Sequence, residues 1–527
     1  MKQILHIFAK DTRRFWPEIL ISLAITTVFI RVYPTVWLPT NDSGLSMSAV
    51  HAGLQRLASA MVVLVPLSWW LLIARVIHAE RLVGSTQWWL TRPYEGMKLL
   101  AAKLLFLLAF LYLPFFIAQC LLLVEAGFHP LDWLPGLLYN LLLITAYFVL
   151  PLIALAAVTS SFARMTLTLL GIFLGLACLL ALVLFVPMEG FSSPYRDLIS
   201  FALFLILCTA AIAVQYATRK VWLARTLLIA IPVQFFVIGV TIPDRGWINR
   251  TYPPPAGAAG THVQLEYRPD PHIAFGAYSV PGGNRVGIAV PIQASGMAEG
   301  DLLILENVKA AIQAPDGSSW TSDWQPVYRF NHLPVDKNVT ADFRIPRAVY
   351  DRYKAMPLSV HLTYASTMAS AVKVTAMSLP THEVSVPDIG ICSTTLLPMA
   401  STRMHVEIDC RSAVREHPLT HGAVNWSNPL CGPPPTDPSQ STVDIGWRGA
   451  IDSAPAQFGI SPVITEAFLF ENSYQDLRPV KEPAMCPGST VTFAQYKLVG
   501  RTQTSLNLQD FRLPAMRRAE VRIEQGF

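Results

Sequence analysis

Few side chains in this 527-residue sequence are spaced for chemistry. Glu416, His417 and His421 come closest, because two histidines at i and i+4 would present two metal ligands on one helix face. Pro418 stands between them and the neighbouring residues read as loop, which favours plain surface histidines. His382-Glu383 starts the HExxH zinc pattern without its second histidine, and neither GxSxG nor the phosphate-cradling GxxxxGK[ST] occurs. The sequence therefore names no catalytic residue, metal site or cofactor, and no nucleotide-hydrolysing site of its own; the chain is not expected to be an enzyme.

Cysteine chemistry remains. Cys120, Cys178 and Cys208 lie in long apolar runs, where a thiol packs as a small hydrophobe. Cys392, Cys410, Cys431 and Cys486 lie in the polar half. Zinc would call for CxxC spacing, which none of them has, whereas an even number suits two disulfides in an oxidising compartment. Four cysteines allow three pairings. Cys392–Cys410 with Cys431–Cys486 closes the shorter loops and is the first choice.

The elements that must carry these residues follow from composition. Apolar residues make up 52% of the chain and charged ones 14%, against about 25% charged in soluble proteins, so part of the chain must face lipid. The net charge of +5 is too small and too dispersed for a nucleic-acid footprint. Apolar windows of near-spanning length fall at 17–36, 57–77, 99–124, 133–158, 165–187, 198–216 and 222–242. Residues 1–16 mix Ile4, Leu5, Ile7, Phe8, Phe15 and Trp16 with Lys10, Arg13 and Arg14, the pattern of an amphipathic helix on the membrane surface, here an uncleaved anchor. Arg75, Lys103 and Arg225, near span ends, are expected to snorkel to the headgroups.

Basic residues set the orientation, since Lys and Arg in short loops stay on the cytoplasmic side. With the N-terminus inside, inner segments carry Lys2, Lys10, Arg13, Arg14, Arg81, Arg92, Lys98, Arg164, Arg219 and Lys220; outer loops carry Arg56 and Arg196. An odd number of spans then places everything after about residue 242 outside, in agreement with the paired cysteines. The Pro/Gly stretch in 243–260 marks a linker. Beyond it, period-two alternation such as Val286, Ile288, Val290, Ile292 and Leu358, Val360, Leu362, Tyr364 predicts antiparallel strands, with turns such as Ala314-Pro-Asp-Gly317 and one helix near 347–355. The expected fold is an α-helical transmembrane bundle of about seven spans (17–242), followed by an all-β or β-rich, sandwich-like extracytoplasmic domain in two subdomains, 261–380 and 381–527. The expected location is the plasma (inner) membrane.

One inner loop suggests a function. It runs from His78 through Glu80, Arg81, Gly84, Trp88, Trp89, Leu90, Arg92 and Pro93 to Lys98, with Lys103 opening the next span. Physically it offers a charged pair, a glycine break, an aromatic-rich short helix and a proline stop, suited to grip a partner or to seat tryptophans at headgroup level. An amphipathic N-terminal helix and two spans joined by a loop with Glu80-Arg81, Gly84, Leu90, Pro93 and Lys103 resembles the ABC type-2 exporter permeases. Trp88, Trp89 and Arg92 fall inside the same pattern. The resemblance covers about the first 240 residues and implies a coupling helix in loop 78–98 that docks on a separate ABC ATPase subunit. It also implies a homodimer or paired permease in membrane lipid. The family usually has six spans and no large outer domain, and this chain departs from it in both. A membrane-tethered extracytoplasmic sensor or binding protein is the alternative, and an outer-facing enzyme with an unfamiliar site is a third.

Overall fold

The computed structural model describes residues 2–37, 49–80, 95–185, 194–241, 244–254, 263–269, 276–280, 284–298, 300–327, 332–334, 338–378, 383–386, 390–398, 404–413, 419–425, 442–448, 459–470 and 490–516. They fall into two compact units. The first comprises Met1–Leu176, Ser200–Phe235 and Val374–Gln495; the second comprises Ala177–Ile199, Phe236–Lys373 and Tyr496–Phe527.

The first unit opens with α1 (Lys2–Arg14), which stops at Phe15 before α2 (Trp16–Val32), where Pro17 occupies the first turn and loses no intrahelical bond. Then come α3 (Ala49–His78), α4 (Gly96–Leu107), α5 (Leu113–Glu125), α6 (Leu134–Ile144) and α7 (Leu150–Val158). Next are α8 (Phe162–Phe185), α9 (Pro194–Thr218) and α10 (Val221–Thr241), each divided between the two units. Among the described residues, five helical stretches are long and apolar enough to cross a membrane: Trp16–Val36, Gly53–His78, Gly96–Glu125, Leu134–Val158 and Leu198–Thr218. The two other windows coincide with α8 and α10, 24 and 21 residues long. Burial ranks the spans: 61% of the fourth is enclosed by its neighbours and 22% of the first, so Leu134–Val158 is central and Trp16–Val36 lies at the rim. Leu20, Val63, Leu104, Leu142 and Phe173 are exposed, an apolar surface of the kind that lipid covers.

Two spans are irregular at matching places. Between α4 and α5, Leu108–Tyr112 forms a π segment, and between α6 and α7, Thr145–Val149 forms another. Each precedes a proline, Pro114 or Pro151, which has no N–H for the carbonyl four residues back and whose ring crowds it; widening the turn relieves both. The Tyr112 and Thr145 hydroxyls meet at 2.8 Å and join the two segments. α5 ends on Gly127 at φ +89°, with Phe128 N donating to the Leu123 carbonyl (2.9 Å) and Gly127 N to that of Val124 (3.1 Å), the paired bonds of a left-handed helix cap.

The second unit continues with α11 (Asp244–Thr251), a helix where the sequence suggests linker, then β1 (Gln264–Tyr267), β2 (Gly276–Ser279), β3 (Arg285–Ser295) and β4 (Leu302–Gln313). β5 (Ser319–Thr321), β6 (Gln325–Pro326), β7 (His332–Pro334), β8 (Asn338–Pro346), α12 (Arg347–Tyr353) and β9 (Leu358–Ser378) follow. β3 pairs antiparallel with β1, β2 and β8; β4 pairs antiparallel with β5, β6, β7 and β9. Val286, Ile288, Val290 and Ile292 of β3 are fully buried at every second position. In β4 the phase changes from Leu303 and Leu305 to Val308, Ala310 and Ile312, because a bulge at Glu306 inserts one residue. The bulged Glu306 accepts hydrogen bonds from the Tyr252 hydroxyl and from Thr367 Oγ1 and so fastens α11 to the sheet.

Returning to the first unit, β10 (Val384–Val386), β11 (Gly390–Pro398), β12 (Met404–Ala413) and, after β13 (Leu419–Asn425) and β14 (Thr442–Arg448), β15 (Val463–Phe470) appear. β10, β11, β12 and β15 form one antiparallel sheet in that order, and β13 pairs with β14. The last strand, β16 (Thr490–Phe511), is divided between the units, as is β9. Cys392 and Cys410 face each other across β11 and β12 and are bonded, S–S 2.09 Å. Cys431 and Cys486 lie outside the described residues. The four-stranded sheet sits on the α5–α6 end of the bundle: Ala413 and Val463 belong to the helical core, and Asn140 Nδ2 donates to the Gly459 carbonyl at 3.2 Å. A Cβ on Gly127 would come within 2.8 Å of the Ile391 side chain, so a larger residue there would push against β11.

Candidate functional site

Four ionised side chains meet at the opposite end of the bundle. The first two come from α1, whose apolar stripe Ile4, Ile7, Phe8 and Phe15 also contains Asp11, at helical spacing from Ile7. Ile7 and Asp11 are fully buried, and the Phe8 ring stacks on Phe110 at 5.8 Å, so α1 packs on the Gly96–Glu125 stretch. The third group, Glu80, stands two residues beyond α3. The fourth, Lys103, lies two turns into α4 with its side chain 3% exposed.

Lys103 Nζ donates to Asp11 Oδ2 at 2.7 Å and also pairs with Glu80, which in turn pairs with Lys10. Two ammonium groups and two carboxyls make the set neutral, the condition under which buried charges are tolerated. Burial opposes charge on both acids. At Asp11 burial prevails over Lys103, and the carboxyl lies above its ordinary 3.8; Oδ1, buried without a hydrogen-bond partner, shows why. At Glu80 burial is outweighed by Lys103 and Lys10, which together hold the carboxyl below 4.5.

The expectation that Arg75, Lys103 and Arg225 snorkel is corrected at Lys103. Lys103 turns into the protein, where two carboxylates are within reach. Arg225 donates to the Val158 carbonyl at 3.1 Å, closing the end of α7. Arg75, half exposed, reaches Glu18 at 3.0 Å.

Of the loop residues singled out by sequence, Glu80 and Lys103 are brought together; Arg81, Gly84, Trp88, Trp89, Leu90, Arg92 and Pro93 lie outside the described residues. The far side of the loop is anchored at Gly96, where an added Cβ would fall 2.0 Å from the Tyr216 carbonyl oxygen, a contact only glycine permits between α4 and the end of α9. His78 Nε2 and Thr159 Oγ1, 3.1 Å apart, tie the near side to α7. Sequence reasoning missed Asp11, Gly96 and Tyr216. Asp11 alone left a signal, an acid on the apolar face of an amphipathic helix that needs a buried cation.

Nothing in this cluster is a nucleophile or a poised acid–base pair. Its arrangement can transmit force: the N-terminal helix, the root of the loop and the third span cannot part without exposing an unpaired buried charge. Elsewhere, His421 lies in β13 opposite Trp447, and on a strand it does not share a helical face with His417, which is outside the described residues. Among the described residues no group of histidine, cysteine and acidic side chains is arranged to hold a metal ion. No protein-family model matches the chain, and no curated protein matches it either.

Proposed function

We propose that this chain is the membrane-spanning permease subunit of an exporter of the ATP-binding-cassette type, moved by a separate ATPase that grips loop 78–98. The observation that carries the reading is the buried Lys10–Glu80–Lys103–Asp11 cluster. It joins Glu80 and Lys103, two residues of the resemblance, to the amphipathic helix, so a push on the loop reaches the third span directly. On this reading α8 and α10 complete seven spans, the N-terminus is cytoplasmic in the inner membrane, the β-rich part is extracytoplasmic and sandwich-like, and two copies form the path. The β10–β15 sheet, seated on the end of the bundle away from the cluster, supports the two-sided arrangement. The same sheet, sharing a core with the helices, also favours the second reading, a tethered sensor whose outer domain signals through the bundle.

The test is co-purification in mild detergent. Wild type should retain an ATPase, and Trp88→Ala or Arg92→Ala should weaken that binding about thirtyfold, the loss of about 2 kcal/mol typical of an interface anchor. A wild type that neither retains nor stimulates any ATPase moves the assignment to the sensor.

A further inference from the structure

A second feature of the bundle stands independently of the coupling reading. Between α2 and α5 runs an open groove of about 640 Å³, within the size range of small-molecule sites. Leu23, Ile30, Ile117 and Leu121 line it. Thr26 and Thr27 line it too, but their hydroxyls already donate to the Ser22 and Leu23 carbonyls at 2.9 and 2.8 Å, which leaves the walls hydrocarbon in character. Pro114, just beyond the π segment, lies on the lining at one end.

The other end is charged. Arg31 and Glu125 both line the groove there, yet neither forms an ion pair or hydrogen bond with the other or with any other described residue. They sit where α2 and α5 finish, the level also occupied by Tyr33 and Trp37, aromatic residues of the kind that mark the headgroup region. A separate cation and anion above an apolar trough match a headgroup that carries a separate anion and cation above a hydrocarbon chain.

We propose that this groove binds a phospholipid with a primary-amine headgroup, its chain along the α2–α5 trough, its phosphate on Arg31 and its ammonium donating to Glu125. Arg31 by itself would take any phosphate. Glu125 supplies the selection: it repels a headgroup with net negative charge, and it finds no N–H donor on a quaternary choline.

The full-length protein is reconstituted in phosphatidylcholine vesicles containing a trace of phosphatidylethanolamine with a photoreactive acyl chain, and labelled peptides are mapped by mass spectrometry. Labelling should fall on peptides containing residues 23–31 or 113–125. Excess phosphatidylethanolamine should compete it away, and equal phosphatidylglycerol or added phosphatidylcholine should not. Glu125→Gln should lower labelling about tenfold, the loss of one charge-assisted hydrogen bond, with unchanged thermal stability. Glu125→Lys should let phosphatidylglycerol compete, a switch that a merely damaged protein would not show. Equal competition by all three lipids would mean annular lipid only and overturns the proposal. So does absent labelling with Arg31→Gln or Glu125→Gln weakening self-association, since a second copy would then cover the groove.

Discussion

Lys103 places a full charge where its side chain is 3% exposed, and only Asp11 and Glu80 make that tolerable. Removing the ammonium leaves two acids facing each other in a buried site. Lys103→Met is therefore expected to cost about 3–5 kcal/mol, the usual loss when one member of a buried pair is removed, measured as unfolding in detergent. Lys103→Met combined with Asp11→Leu should recover part of it. The pH dependence has a definite sign. Glu80 has a folded value below its ordinary 4.5, so its contribution is fully present above that value and is lost as pH falls through the lower, folded one. The stability advantage of wild type over Glu80→Gln should be constant from neutral pH down to about 5 and shrink only in stronger acid. Asp11 is shifted the other way, in part by the Glu80 charge, and favours folding at low pH, so the wild-type curve alone mixes the two acids and the comparison with Glu80→Gln is needed.

At the scale of elements, the paired π segments are the irregular feature of the bundle. Hydrogen bonds between membrane helices contribute about 0.6 kcal/mol on average and up to about 1.7, because the separated helices also find partners. A double-mutant cycle with Tyr112→Phe and Thr145→Val should give a coupling energy in that range. A coupling near zero would show that the two segments arise from Pro114 and Pro151 alone. Both segments are local consequences of proline position, but their meeting at 2.8 Å depends on how the third and fourth spans pack.

For the whole molecule, the Cys392–Cys410 bond closes 18 residues within the sheet that sits on the bundle. Cross-linking a loop of that size stabilises by about 3 kcal/mol in the chain-entropy account. Cys392→Ala with Cys410→Ala should lower the unfolding temperature of protein made in an oxidising compartment, and non-reducing peptide mapping of wild type should recover the linked pair. Finding both thiols free there would remove the argument that this sheet faces an oxidising space.

Much of the architecture was legible in one dimension, for definite reasons. A run of apolar residues near spanning length has no other stable form in lipid than a helix, and period-two alternation with a Pro-Asp-Gly turn has few forms other than paired strands. Ala314–Gly317 closes as such a turn, with Gly317 N donating to the Ala314 carbonyl at 3.1 Å, and α12 falls where a helix was expected. Glu80 and Lys103 could be singled out by type and spacing, but not as partners. Lys103 and Asp11 are 92 positions apart, and whether they meet depends on the rotation of each helix about its axis, which pattern alone leaves free. The same freedom hid Gly96 against Tyr216, and it hid the groove that Arg31 and Glu125 both line. Those juxtapositions come from packing α1, α2, α4, α5 and α9 side by side, and only the tertiary structure decided them.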